Sequence, residues 1–454
     1  MKQRSSSRGR CAAWPTRAVQ RVLRSVLVSG VLATPLPAQA ASDPLTIDAL
    51  YRAVDSLNPR IGATRAAADA ALARVPGTRR LPDPRLQFAT MNRELPGFEL
   101  QDPLGMNQVQ LTQMFPIPGT GKLGLAGDVA QFRADAGQAQ VGESIWEQRS
   151  RAAMAFYDLY RADATLAVMR ETLRLLEAVS LTVNEMYAVG EVQQADVLRA
   201  QLEIGRMTGQ IAEMSAMRRT MAVRLNTVLN RPPDAPTGAP VLPLFPESIP
   251  SVDSLTALAL ASRGMLLAGA DQVRAATTAE QLARREIWPD LEVGVIYGWQ
   301  PMSGGGTDQM LSIMLGASVP IWAGSRQLRM RDETAAMRRM AEDDLAAMRA
   351  DTRGRVGELV AEIRRARELH ALYERSLLPQ AEATVASARA AYQVGSVNFM
   401  TFLDAFMTVY GYRTEVHRLD AQEGQALAEL EMVTAKPLVV STPDPDLTAP
   451  GDAQ

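Results

Sequence analysis

The chain of 454 residues has one cysteine, Cys11, and two histidines, His370 and His417. A lone thiol forms no internal disulfide. With so few histidines and no clustered nucleophile and base, enzyme chemistry has no foothold. A Gly-x-x-x-x-Gly-Lys-Ser/Thr phosphate loop is also missing, so the chain has no means of drawing energy from a nucleotide. Past the N-terminal region no uninterrupted apolar run reaches about 18 residues, which excludes a membrane-spanning helix but not a β-barrel.

Positive charge and acid are unevenly spread. The first forty residues hold seven Lys or Arg and no acid, an apolar run from Val22 to Leu36, and the small-x-small ending Ala38-Gln39-Ala40. That is the layout of a secretory signal, so residues 1–40 are expected to be removed. Cys11 leaves with it, and an N-terminal lipid-modified cysteine is excluded. Losing seven cations takes the net charge from −2 to −9, which argues against nucleic acid as a partner.

What remains is a duplication. Ile47-Asp48 and Leu50 recur as Val252-Asp253 and Leu255, and Pro84-x-Leu86 as Pro289-x-Leu291. Leu111 and Pro116-Ile117 recur as Leu315 and Pro320-Ile321. Tyr187-Ala-Val-Gly190-x-Val192 recurs as Tyr392-Gln-Val-Gly395-x-Val397. All four matches fall at an offset of 204 to 205 residues. The expected organisation is a signal at 1–40, a first repeat at 41–230, a proline-rich linker at 231–251, a second repeat at 252–436 and a tail at 437–454.

Each repeat carries two alternating runs, expected as strands near 85–91 and 108–114 and near 290–300 and 310–319. Leu291, Val293, Val295, Tyr297 and Trp299 share one face, as do Leu311, Ile313, Leu315, Ala317 and Val319. The opposite faces carry mostly Gly, Ser, Glu and Met. The pattern fits a barrel wall between lipid and water, and also a soluble hairpin packed on a core. Arg93 to Asn107 and Pro301 to Gln309 have the Gly, Pro and polar content of turns.

Between Gly119 and Arg231 there is no proline, and Ala152, Ala155, Leu159, Ala162, Leu166, Met169, Leu173, Leu176, Ser180, Val183 and Tyr187 advance by threes and fours. A heptad sustained this long predicts a coiled-coil hairpin turning at Gly190, with helices on the order of 90 Å. The second repeat does the same through Val356, Leu359, Ile363, Ala366, His370, Tyr373 and Leu377. Pro379 is expected to disturb its helix, and His370 falls at an expected core position. Methionines such as Met330, Met337, Met340 and Met348 stand at helical spacing, which usually means core filling and not a metal site.

Two strands per half, each half closed by a very long helical hairpin, resembles the TolC-like outer-membrane efflux family. The residues that carry this likeness are Leu45-Thr-Ile-Asp-Ala-Leu50 with Asn58-Pro59, Leu81-Pro-Asp-Pro-Arg-Leu86, Pro116-Ile-Pro-Gly119 and Leu229-Asn-Arg-Pro-Pro-Asp234. With them go Tyr187-x-x-Gly190-x-Val192-x-x-x-Asp196-Val-Leu198-x-Ala200 and Tyr392-x-x-Gly395 with Leu403-Asp-Ala405. The resemblance implies a mainly α fold with four transmembrane strands per protomer, and a homotrimer forming one barrel and an α-helical periplasmic tunnel. It implies a passive exit channel, in outer-membrane lipid and extending into the periplasm. Its partners are a periplasmic adaptor (membrane fusion) protein and an inner-membrane efflux pump, with no cofactor.

By position, the family's periplasmic aperture acids fall at Thr401 and Asp404, of which only Asp404 is acidic; a three-fold ring of it favours cations. Its closed-state link falls at Asp196 and Tyr392, for which a helix cap and a core aromatic are the plain alternatives. Val397 stands where the family carries a basic residue. The adaptor contacts fall at the hairpin tips Gly190, Glu191, Gly395 and Ser396. A periplasmic coiled-coil adaptor or scaffold is the alternative function, though such a chain is expected to have one long hairpin and not two.

Overall fold

The computed structural model describes residues 44–92, 105–302 and 305–439. The expected signal at 1–40, most of the first strand-to-strand loop and the end of the tail lie outside these residues.

Thr46 opens the first helix, α1 (Ile47–Leu57), its hydroxyl accepting the Ala49 N–H. Asn58 then caps α2 (Pro59–Thr78) through the Arg60 N–H, with Pro59 at a position that needs no donor. β1 (Arg85–Met91) and β2 (Met106–Pro116) follow, then α3 (Lys122–Ala188) and α4 (Gln194–Val228). The second repeat runs α5 (Val252–Ser262), α6 (Gly264–Arg285), β3 (Asp290–Pro301), β4 (Thr307–Ala317) and α7 (Gln327–Leu372). A π-helical turn (Tyr373–Leu377), α8 (Leu378–Gln393) and α9 (Phe399–Thr434) complete it. Adding 205 to the bounds of α1 gives those of α5, and adding it to Lys122 and Ala188 gives Gln327 and Gln393. The same offset carries the first residues of α2 and α4, Pro59 and Gln194, to those of α6 and α9, Gly264 and Phe399.

α3 is 67 residues long, about 100 Å at 1.5 Å per residue. Its expected heptad faces inward from Ala152 to Val183, and only Tyr187, at 45% exposure, leaves the seam. The second-repeat equivalent of α3, from Gln327 to Gln393, is interrupted where Pro379 removes a backbone donor. The chain absorbs this in the π-helical turn just before it.

His370 departs from the expected core position. It is part-exposed, with Nε2 3.0 Å from Asp420 and Nδ1 3.6 Å from Glu374. Imidazole beside two carboxylates is worth more than the same ring in an apolar seam, because its polar nitrogens stay satisfied.

Three apolar clusters hold the helices. One centres on Phe156, Tyr157 and Leu225 with α1, a second on Val183, Met207 and Phe399, and a third on Leu359, Ile363 and Leu427. Next to the first, the buried Glu431 accepts the Tyr51 hydroxyl at 3.1 Å and the N–H groups of Leu438 and Val439 at 2.6 and 2.9 Å. This carboxylate fastens the chain that follows α9. The proline-rich linker is held at its middle, where Leu45 exchanges backbone hydrogen bonds with Ala239 and Val241 at 2.9 Å.

The four strands form one antiparallel sheet in the order β1-β2-β3-β4. Its register lines Leu86, Leu111, Val295 and Ile313 in one row, and Phe88, Val109, Tyr297 and Leu311 in the next. Among the described residues β1 and β4 each pair on one side only, which leaves the sheet two open edges.

Candidate functional site

Among the described residues the sheet presents an exposed apolar face. Ile313 is 74% and Leu315 78% exposed, Leu86, Phe88 and Leu311 nearly as much, and Leu111, Val295 and Tyr297 less so, at 47%, 44% and 41%. Such a face is costly in water and fits the hydrocarbon of a bilayer. The opposite face is lined by Gly294, Gly298, Ser312 and Gly316 with Gln108, Gln110 and Glu292. Here Gly294 and Gly298 leave room for Met314 and Met106, whose methyl groups would lie 3.1 and 2.8 Å from an added Cβ. Among the described residues no helix is long and apolar enough to cross a membrane.

At the other end, the two hairpins close in matching turns. Gly190 and Gly395 take φ of +80° and +71°, a left-handed conformation that glycine adopts without penalty. Glu191 N–H reaches back to the Met186 carbonyl and Ser396 N–H to the Ala391 carbonyl, each at 2.9 Å, closing the helix ends in Schellman fashion. Just before each glycine, Val189 and Val394 are exposed.

After the turns the repeats diverge. Asp196 lies in the first turn of α4, where a carboxylate suits the helix dipole; it does not cap the helix, and it pairs with Arg199 at 3.7 Å. On α9 Thr401 stands at the equivalent of Asp196, and the cap is Asn398. Its side-chain oxygen accepts both the N–H and the hydroxyl of Thr401, at 2.9 and 3.0 Å. Thr401 is thus committed to holding the helix start. Asp404, one turn further, is exposed and has no cation paired with it among the described residues.

Tyr392 is 5% exposed, stacked on Phe402 with ring centres 5.9 Å apart and 5.7 Å from Phe399. Its hydroxyl has no hydrogen-bond partner among the described residues. Burial, and then the negative charge of Asp196, push the phenol above its ordinary range. Asp196 and Tyr392 are therefore close enough to interact electrostatically, with no hydrogen bond between them.

Sequence reasoning missed Asn398, Arg199 and the Phe399, Phe402 and Phe406 cluster. The Asn-x-x-Thr spacing before an apolar run signals a cap, and the 205-residue offset pairs Arg199 with Asp404. Nothing in the pattern marked the aromatic cluster, since Gln194 and Val197 stand at the first-repeat equivalents of Phe399 and Phe402. Among the described residues no three His, Cys, Asp or Glu side chains come together to hold a metal.

The outer membrane efflux protein family model matches residues 255–436, the second repeat nearly end to end. No curated protein matches the chain. Solved structures share its fold along most of its length. CusC, described for transmembrane channel formation, is 16% identical with a TM-score of 0.73, covering 86% of this chain and 91% of its own. The outer membrane protein VceC of Vibrio cholerae is 15% identical with a TM-score of 0.73, covering 86% and 96%. The MtrE outer membrane channel of Neisseria gonorrhoeae, in its open state, is 15% identical with a TM-score of 0.72, covering 88% and 91%. At these identities the likeness establishes the fold, which is one seen in channel proteins. The family model thus matches one repeat, and the same architecture is repeated in the other.

Proposed function

We propose that this protein is the outer-membrane exit channel of a tripartite efflux system, conducting substrates passively from a periplasmic adaptor and an inner-membrane pump to the exterior. The observation that carries the reading is the four-stranded sheet with an uncovered apolar face and two open edges. Unpaired strand edges are not tolerated in hydrocarbon, and four strands are too few to close a barrel. Further copies must supply the missing neighbours, β4 of one protomer meeting β1 of the next, and family resemblance favours three.

In this reading α3, α4 and α7 to α9 line the periplasmic tunnel and the turns at Gly190 and Gly395 face the adaptor, with Glu191 and Ser396 beside them. Asp404 supplies the aperture charge. Thr401 holds the helix start beneath it, and Asp196 with Tyr392 biases the closed arrangement. Duplicated hairpins weigh against the periplasmic adaptor alternative.

The predicted mature chain has no cysteine, so engineered thiols report cleanly. Leu86→Cys combined with Ile313→Cys should link neighbouring protomers across the β1–β4 seam in outer-membrane fractions, giving a trimer on denaturing gels. Recovery of the double variant as a soluble, uncrosslinked monomer would overturn the reading.

A further inference from the structure

In the first repeat α1, α2 and α4 pack on α3, and in the second their equivalents α5, α6 and α9 pack on α7 and α8. α3 also crosses between the repeats, onto α6 and α9. Exchanging the repeats turns those two contacts into α7 on α2, and α7 with α8 on α4, and one chain makes no comparable contact there. The faces concerned are exposed instead. Ala268, Asp271 and Ala275 on α6 are buried, while their equivalents Ala63, Ala66 and Ala70 on α2 are open. Phe132 on α3 lies beneath the Arg274 guanidinium of α6, 5.3 Å away. Its equivalent on α7, Met337, is 49% exposed, and Met340 one turn on is 60% exposed. Further down, Gly424 of α9 lies against the Tyr157 ring of α3 with no room for a side chain. At the equivalent places stand Arg219 on α4 and Glu362 on α7, both exposed and opposite in charge. Among the described residues Arg219 has no ion pair, and Glu362 has only Arg355, at 3.9 Å.

We propose that a second copy of this chain covers these faces, its α2 and α4 packing on α7 and α8 in the register that α6 and α9 take on α3. Arg219 of one copy then pairs with Glu362 of the next. The inference rests on the exit-channel reading, which joins β4 of one copy to β1 of the next, and it carries that seam down the helices. α2 leads into β1 and β4 leads into α7, so copies that meet at the strands bring these two helices side by side. The methionines of α7 then fill a core between chains, over the alanines of α2. Seams within and between chains differ in kind: inside, a glycine lets an aromatic ring close the gap, and between copies the same place holds an ion pair. Unlike charges also fix which flank meets which. Two α7 faces would set Glu362 against Glu362 and two α4 faces Arg219 against Arg219, so only the head-to-tail order that closes a ring is favoured.

The test uses the full chain, expressed with its own N-terminal region. Two differently tagged copies, one with Arg219→Cys and the other with Glu362→Cys, are produced together and treated with a short bismaleimide in outer-membrane fractions. A linked product carrying both tags is expected, and neither variant produced alone should link to itself. Charge is tested separately: Arg219→Glu and Glu362→Arg should each speed dissociation of the detergent-solubilised oligomer by about tenfold, and the double exchange should return it to within about twofold of wild type. Absence of the doubly tagged product, self-linking of either variant, single exchanges that dissociate as slowly as wild type, or a double exchange no slower than the singles would overturn the proposal. The Leu86→Cys and Ile313→Cys pair separates the two readings. If the strands link while the helices do not, the helical register is wrong and the exit channel stands; if neither links, both fall.

Discussion

Arg199 and Asp404 occupy the same place in the two repeats, 205 residues apart, each the sixth residue of the helix that leaves a hairpin turn, and they carry opposite charges. In the first repeat Arg199 neutralises Asp196. In the second, Thr401 replaces that acid and is tied to Asn398, and Asp404 stands exposed without a cation. Duplication with one sign reversed leaves a net negative position on α9 alone.

From this follows the first prediction. Asp404→Asn should lower the preference for cations over anions by about twofold or more, because a ring of like charges sets selectivity where the pore is narrow. Arg199→Gln should move it the other way by releasing Asp196. Reversal potentials under a salt gradient measure both, and an unchanged ratio in Asp404→Asn rejects the aperture assignment.

The second concerns Glu431. Burial is the main cause of a pKa raised above the ordinary carboxyl range, against the lowering effect of the Val439 and Leu438 N–H groups. A carboxyl whose folded pKa is raised contributes stability at acid pH and loses it as pH rises from about 4.3 through the raised value. Glutamine can accept both backbone donors on one oxygen and donate to the Tyr51 oxygen, and it never charges. Glu431→Gln should therefore gain on wild type as pH rises, and match it most closely at acid pH. Glu431→Ala, leaving three partners unmet, should lose about 2–4 kcal/mol at any pH. Thermal melts across pH decide it, and parallel profiles for wild type and Glu431→Gln would refute the linkage.

A third rests on close approach of α9 to α3. A Cβ on Gly424 would lie 2.2 Å from the ring of Tyr157, which is fully buried. Gly424→Ala should cost about 1–3 kcal/mol. Gly411, on the same helix, has no atom within 4 Å of such a Cβ, so Gly411→Ala should be neutral or stabilising by about 0.5–1 kcal/mol. Equal melting shifts would mean that helix propensity, not packing, governs both sites.

The fourth separates the sheet faces. Ile313→Lys puts a charge on the uncovered apolar face and should cost about 2–4 kcal/mol if that side chain meets the bilayer centre. Ser312→Lys points to the other side and should spare assembly. The yield of membrane-inserted protein from paired preparations measures the difference, and similar losses for both would argue against a lipid-facing row.

Legibility in the sequence followed period and length. The heptad from Ala152 to Val183 spans so many turns that local propensity could not mislead, and the turns announced themselves through Gly190 and Gly395, each beside the same Tyr-x-Val-Gly. Alternation marked the strands, but it did not say whether the face of Leu311, Ile313 and Leu315 met lipid or a core. Only the sheet's register and exposure bear on that. The site was harder to read. His370 has heptad spacing yet turns to Asp420 and Glu374, because acids on two different turns and helices reach it in three dimensions. The stacking of Tyr392 on Phe402 and the ion pairs across α3, α8 and α9 likewise join residues far apart in the chain, with no shared period to betray them.

The most direct test of an exit duct is single-channel recording of the purified protein in planar bilayers. The account predicts discrete, cation-preferring conductance steps from an assembly inserted without any added nucleotide, with the preference reduced in Asp404→Asn. Protein that assembles and inserts but passes no current, with the aperture region opened by removing the Asp404 charge and the Tyr392 ring, would contradict it.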